Sequence, residues 1–349
     1  MIWLTWRQYR VQTLVALAAL AAVTVALLIT GFQLRSYYDS NVAGCGNDCG
    51  AAENAFINQY SSLAYFGTGL QIAVPGIIGI FWGAPLIARE LETGTHRLIW
   101  NQSITRTRWL AVKLAVVGLA AVALTGLLSL LVTWWAEPID RVNTDRFTPL
   151  LFDGRGIVPL GYAAFAFTVG ACAGLLIRRT VPAMAATLAL FIAVQVLMPY
   201  VVRPHLMTPD RMDVALNSVG MDSVGRDSAS ADGEPRAAEP EWNANNILLT
   251  GDGADAHVEV SLAKPGAWVV SGISPVLNPA GKAVGGSEGC ADIDTDPLAC
   301  FAESDLHVKV TYHTADRYWT FQWIETAIFL ALAGLLTGFC AWWLRRRLN

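Results

Sequence analysis

Charge is scarce in this chain. Of its 349 residues only 15% are Asp, Glu, Lys or Arg, against about a quarter in a soluble domain. The scarcity is also patterned. No charged residue falls between Arg10 and Arg35, Glu53 and Arg89, Lys113 and Glu137, Arg155 and Arg178, Arg179 and Arg203, or Glu325 and Arg345. Each gap is long enough for a helix to cross a hydrocarbon core of ~30 Å. Spans are therefore expected near 13–33, 66–88, 111–135, 157–177, 181–202 and 323–344. Acids and histidines are missing from the middles of all six, which argues against the charged relay of a proton- or sodium-coupled carrier. The phosphate-binding pattern G-x-x-x-x-G-K-[ST] is missing too. Gly281-Lys282 is followed by Ala283, and Val276 stands where the leading glycine belongs, so the chain should not hold ATP by such a loop. With no catalytic constellation either, it is not expected to be an enzyme. A small-residue cleavage site is lacking after the first gap, which continues Thr30-Gly31-Phe32-Gln33-Leu34-Arg35. This favours a retained span over a cleaved secretory signal.

The charges that are present set an orientation. Arg7, Arg10, Arg89, Arg97, Arg106, Arg108, Lys113, Arg178, Arg179, Arg345, Arg346 and Arg347 share their segments with only two acids, Glu90 and Glu92. Those segments are the N-terminus, the second loop, the fourth loop and the C-terminus, and basic short loops face the cytoplasm. The fold class is an all-α polytopic membrane protein, six transmembrane helices with both termini inside. Trp134, Trp135, Trp319, Trp323, Trp342 and Trp343 fall at expected span ends, where amphipathic rings settle. Residues 1–11, with Trp3, Trp6 and Tyr9 among Arg7 and Arg10, read either as a short interfacial helix or as an extension of the first span.

Between the fifth and sixth spans lies a segment, 203–318, too long to be a plain loop. It divides the chain into 1–202, 203–318 and 319–349, and it is expected to be a small β-containing extracytoplasmic domain. Val258, Val260 and Leu262 alternate with polar residues, as do Val308, Val310 and Tyr312; both runs read as strands. Pro265-Gly266 marks a turn before Ala267-Trp268-Val269-Val270. The stretch 222–246 has the composition of a loosely held segment. His307 and His313 share a strand face with Lys309 between them and read as exposed, solvated side chains. Cys45, Cys49, Cys290 and Cys300 fall outside the membrane, where an even set favours disulfides, with local pairing 45–49 and 290–300 expected. A zinc site from the same thiols is the alternative, but no ordered Cys-x-x-Cys pairs support it. The loop 34–65 is expected to be polar.

Three small-residue pairs, Gly79/Gly83, Gly170/Gly174 and Gly334/Gly338, are spaced for close helix contact, either within the subunit or at a dimer seam. Polar side chains within spans are few. Pro75-Gly76 is expected to break the second span near Gln71.

The second cytoplasmic loop, Ala88-Arg89-Glu90-Leu91-Glu92-Thr93-Gly94-Thr95-His96-Arg97-Leu98-Ile99-Trp100 and on to Trp109, mixes acids, bases and apolar groups. A stretch of this kind either lies on anionic lipid or docks a cytoplasmic partner. Its Glu92-Thr93-Gly94-Thr95, read E-T-G-T, resembles the E-x-G-T element that follows the second span in permease subunits of bacterial ATP-binding-cassette (ABC) exporters of the drug, polysaccharide and sodium-export type. The N-terminal Trp6-Arg7-Gln8, the six spans and the basic tail Arg345-Arg346-Arg347 resemble that family too, as does the approach Arg317-Tyr318-Trp319 to the last span. The 203–318 domain is larger than the family's usual hairpin.

The resemblance implies a permease of a bacterial plasma membrane that pairs with a second copy of itself or a similar permease, in contact with membrane lipid and with no nucleic acid partner. It implies a separate cytoplasmic ABC ATPase subunit that holds ATP-Mg, with no cofactor in this chain. It implies coupling through loop 89–109, carried by Arg89, Glu90, Glu92, Thr93, Gly94, Thr95 and Arg97. Export of a lipophilic or amphipathic substrate would then run past Gln71, Gln195, Thr125 and Thr168, unless these serve as structural hydrogen-bonding groups between helices. The rival reading is a non-transporting sensor or assembly factor that works through 203–318.

Overall fold

The computed structural model of the chain describes residues 2–45, 49–94, 105–142, 145–220, 242–250, 257–285 and 305–347. The chain forms two units. One comprises Met1–Asn143, Thr148–Leu206 and Trp319–Asn349, the other Thr144–Phe147 and Met207–Tyr318.

In the first unit the charge-free stretches are helical. Helix α1 is Ile2–Asn41 and α2 is Gly50–Ile78, followed by a π-helical turn Gly79–Gly83 and by α3, Ala84–Glu92. Then come α4 (Arg106–Val142), a short α5 (Pro149–Asp153), α6 (Val158–Ile177) and α7 (Thr180–Leu197). A second π turn, Met198–Val202, and a 3-10 turn, Arg203–His205, prolong α7. Helix α8 is Tyr318–Arg347. Taken with their turns, six helices are long and apolar enough to cross a membrane.

The helices overrun the charge gaps, because helical backbone stays satisfied in the interfacial region where charged side chains are again tolerated. Residues from Ile2 onward belong to the same helix as the first span rather than to a separate one. Most of the expected loop 34–65 is helix as well, since α1 reaches Asn41 and α2 starts at Gly50. Nor does Pro75 break the second span. The helix passes through it, and the amide of Gly79 bonds to the carbonyls of Gly76 and Pro75 as the turn widens. The irregularity falls at 79–83, four residues beyond the proline.

Helix α6 occupies the centre and packs on α2, α3, α4 and α7. Glycines make that possible. A Cβ on Gly170 would sit 2.3 Å from the carbonyl oxygen of Gly79, and one on Gly83 2.5 Å from that of Phe167. The pairs Gly79/Gly83 and Gly170/Gly174 thus pack against one another within the subunit. Gly334 and Gly338 on α8 have nothing within 4 Å of a Cβ.

The second unit is a mainly antiparallel sheet. Its strands are β1 (Asp210–Ala215), β2 (Val219–Gly220), β3 (Trp242–Thr250), β4 (His257–Ala263), β5 (Trp268–Val269), β6 (Ile273–Leu277) and β7 (His307–His313). Their order is β1-β7-β6-β4-β3-β2, with β5 also on β7. The alternating runs are β4 and β7, and Val258, Val260, Leu262, Val308 and Val310 lie in one apolar core. The Pro265-Gly266 turn is present, with Gly266 at φ +73° and the Ala267 amide bonded to the Lys264 carbonyl. Residues 242–246 of the expected loose stretch are strand instead. They pair with β4 across a register shift between Ala244 and Asn246, and Lys264 lies over the buried Trp242 ring. The rest of that stretch lies outside the described residues.

His313 is fully buried, not solvated. Its ring lies 5.4 Å from Trp268, its Nδ1 is 3.2 Å from the Arg317 guanidinium, and Arg317 also binds Asp210. Burial first, and Arg317 second, hold its pKa below the ordinary imidazole value. Phe147, from the segment between α4 and α5, stacks on Trp268 and meets Tyr318 edge-on in the same unit.

Candidate functional site

The loop after the second span starts from a firmly anchored helix end. Thr93 closes α3 with its amide and its hydroxyl on the Arg89 carbonyl, and Gly94 then turns the chain at φ +73°, a conformation glycine adopts freely. The two acids of the element point in different directions. Two residues of helix amount to a rotation of about 200°, so Glu90 and Glu92 cannot share a face. Glu90 is buried and paired with the ammonium of Lys113 on α4, which lies 4.9 Å from the Trp109 ring centre. Glu92 is exposed and accepts both the amide N–H and the hydroxyl of Thr180, at 3.0 and 2.7 Å. Thr180 opens α7, whose first amides have no partner within the helix. A carboxylate there is favoured by hydrogen bonding and by the helix dipole.

Of the residues implied in coupling, the structure brings Arg89, Glu90, Glu92, Thr93 and Gly94 together at the end of α3. Arg89 is exposed. Thr95 and Arg97 lie outside the described residues. Lys113 and Thr180, which hold the acids, were not singled out by sequence. Lys113 reads there as one more basic flank, and nothing local marks a partner 23 or 88 positions away.

The polar residues within spans are only partly brought together. The Gln71 side-chain amide is fully buried and donates to the Thr125 carbonyl at 3.4 Å. The Thr125 hydroxyl bonds to Ala121 in its own helix, and that of Thr168 to Ala164 and Phe165. Gln195 on α7 is half-buried, and its amide atoms meet no hydrogen-bond partner among the described residues. A cavity between α2, α4 and the start of the α5–α6 turn is lined by Ile57, Tyr60, Ser61, Leu151 and Arg155, and by none of these four.

Cys45 and Cys49 form a disulfide, with Cα atoms 5.5 Å apart, between α1 and α2. Cys290 and Cys300 lie outside the described residues. Cys172 on α6 and Cys340 on α8 are buried and hydrogen-bonded to one another.

At the opposite end of the spans sits a cluster that sequence reading missed. Arg203 follows α7, Asp153 ends α5, Tyr162 is on α6 and Glu325 on α8, and all four are at most 4% exposed. Arg203 donates through Nε to Glu325 at 3.0 Å and also pairs with Asp153. The Tyr162 hydroxyl donates to Glu325 at 2.5 Å. One helical turn before Glu325, the Gln322 carbonyl oxygen accepts the amides of Ile157 and Val158 at 3.0 and 3.1 Å, and its NH₂ donates to the Phe152 carbonyl. Gly156 is required there: it sits at φ +69°, and a Cβ would meet that Gln322 oxygen at 2.7 Å. Arg203 and Glu325 each bound a charge-free gap and Asp153 lies two residues outside one, so in sequence they look like ordinary loop charges.

Neither a curated protein nor a solved structure matches this chain. Residues 17–203, which hold most of the first span, all of the next four and the loop that carries Glu92, match the model of the family described as ABC-2 membrane transporter related, and the chain belongs to that family.

Proposed function

We propose that this chain is the permease subunit of an ATP-driven exporter in a bacterial plasma membrane, with both termini in the cytoplasm. A separate ABC ATPase subunit docks on loop 89–109, and two permeases, copies of this chain or similar ones, complete the assembly. ATP-Mg binds to the ATPase. The observation that carries this reading is the bonding of Glu92 to Thr180. The loop that the family resemblance assigns to ATPase contact is joined to the first turn of the fifth span. A push on the loop therefore reaches α7 directly, and through Glu90 and Lys113 it reaches α4. Transport by alternating access needs two packings of such elements rather than a catalytic residue.

Spans with few polar side chains suit a lipophilic or amphipathic substrate, with Gln71 and Thr125 as the first polar groups on its path. Gln195 and Thr168 are further candidates. The test is ATP-driven accumulation of a lipophilic dye in inside-out vesicles that contain this chain and an ABC ATPase subunit of the same organism. Accumulation that needs both proteins supports export. If the dye distribution is the same with and without ATP, the reading is wrong for that class of substrate.

A second reading has one observation in its favour. The 207–318 unit has an apolar core of its own, as a sensor or assembly domain would. Transport that survives replacement of this unit by a short linker would separate the two roles.

A further inference from the structure

We propose that Asp153, Tyr162, Arg203 and Glu325 form a proton-binding site that clamps the ends of the fifth and sixth spans to the turn before the fourth, with the proton held on Asp153.

The argument begins with charge. The cluster contains two carboxylates and one guanidinium, and every member is at most 4% exposed. If both acids were ionised, a surplus negative charge would be sealed away from water, and such groups neutralise instead. The hydrogen bonds decide which acid does so. Glu325 accepts from Arg203 Nε at 3.0 Å, from the Arg203 terminal nitrogen at 3.1 Å and from the Tyr162 hydroxyl at 2.5 Å. Three donors are thus committed to this one carboxylate. Asp153 has a weaker hold, its ion pair with the Arg203 terminal nitrogen that Glu325 also uses.

The groups that face Asp153 are Tyr162 from α6, Arg203 from the turn after α7 and Glu325 from α8. Arg155, two residues along, is already paired with Asp140. Asp153 lies between spans rather than in one, and burial, reinforced by Glu325, pushes it up to about 6 against the pull of Arg203 and a hydrogen bond from Tyr162.

The sign follows from linkage. A carboxyl raised in the folded state adds stability below its ordinary value of about 4. That stability is lost as pH rises through about 6. The clamp is therefore tighter in acid, the reverse of an ordinary salt bridge. This inference does not depend on the exporter reading, since the site binds its proton whether or not the chain transports anything.

The experiment is an infrared pH titration of the full chain in nanodiscs, with and without ¹³C-labelled aspartate. The expected result is a protonated-carboxyl band that titrates with a midpoint near 6, moves on aspartate labelling and is absent from Asp153→Asn. Thermal melting gives a second reading. The wild type should lose stability relative to Asp153→Asn as pH rises from about 4 through about 6. Three results would overturn the proposal: no such band at pH values below the midpoint, a band that ignores aspartate labelling, or a wild type that gains stability over Asp153→Asn as pH rises. If Asp153→Asn does not fold, the labelled wild type alone decides.

Discussion

The carboxylate of Glu92 holds the first residue of the fifth span, taking the Thr180 amide at 3.0 Å and the Thr180 hydroxyl at 2.7 Å. Those two bonds, and after them the basic Arg179 beside Thr180, favour the ionised carboxylate. A side chain that the family resemblance assigns to partner contact is thus also an internal link between the second and fifth spans. The two roles are compatible if docking moves the loop and α7 as one body.

Removing either side of that link should uncouple the motion without harming insertion. Thr180→Val deletes the hydroxyl donor, and Glu92→Ala deletes the acceptor. Each is expected to lower ATP-driven transport severalfold. The double variant should be no worse than the more damaging single one, since residues that share one interaction are not additive. Fully additive losses would show that the two residues act separately.

The buried pair of Glu90 and Lys113 gives a stability prediction. Lys113→Met takes the ammonium from a buried carboxylate, and a broken buried pair costs about 3–5 kcal/mol. Replacing both, as Glu90→Leu with Lys113→Met, should recover most of the loss. Denaturant melting of the detergent-solubilised protein checks this. A single variant as stable as wild type would contradict a stabilising role for the pair.

Glycine packing around α6 separates a structural pair from an open one. Gly170→Ala puts a Cβ 2.3 Å from the Gly79 carbonyl oxygen and 2.7 Å from the Ala84 nitrogen. Overpacking of this kind costs about 1–3 kcal/mol. Gly338→Ala meets nothing within 4 Å and should leave the melting of the isolated subunit unchanged. Equal effects at the two positions would contradict the placement of α6 at the centre.

Orientation is tested by labelling. Thr105 and Ala280 are both exposed. With a membrane-impermeant thiol reagent added outside the cell, Ala280→Cys should react and Thr105→Cys should not. The opposite pattern would invert the topology and remove the docking loop from the cytoplasm.

Much of this architecture was legible in the residues. Hydrocarbon excludes charge over about 20 positions, so six gaps located six spans. The ends were not legible, because a helix such as α1 runs on to Asn41 through residues that water also accepts. Strands β4 and β7 were readable from period-two alternation. Strand β3 was not, since the short alternation Trp242-Asn243-Ala244-Asn245 is broken at Asn246, where the pairing with β4 shifts register. The E-T-G-T element located the candidate site, while its partners stayed hidden. Lys113, Thr180 and the cluster of Asp153, Arg203 and Glu325 are charged or polar residues at span boundaries. Whether such a residue faces water or a partner depends on tertiary contacts that leave no local trace. His313 was misjudged for the same reason: strand alternation gives the face, and the burial comes from Trp268 beside it.

The central claim is that loop 89–109 receives an ATPase, and one measurement meets it directly. The chain is purified in mild detergent from cells that also express an ABC ATPase subunit of the same organism, as wild type and as Arg89→Glu, an exposed position at the end of α3. The ATPase should co-purify with the wild type in a fixed ratio and be lost or sharply reduced with Arg89→Glu, while yield and melting of the permease stay the same. If no ATPase accompanies the wild type, or if Arg89→Glu retains it in full, the coupling role given to this loop is contradicted.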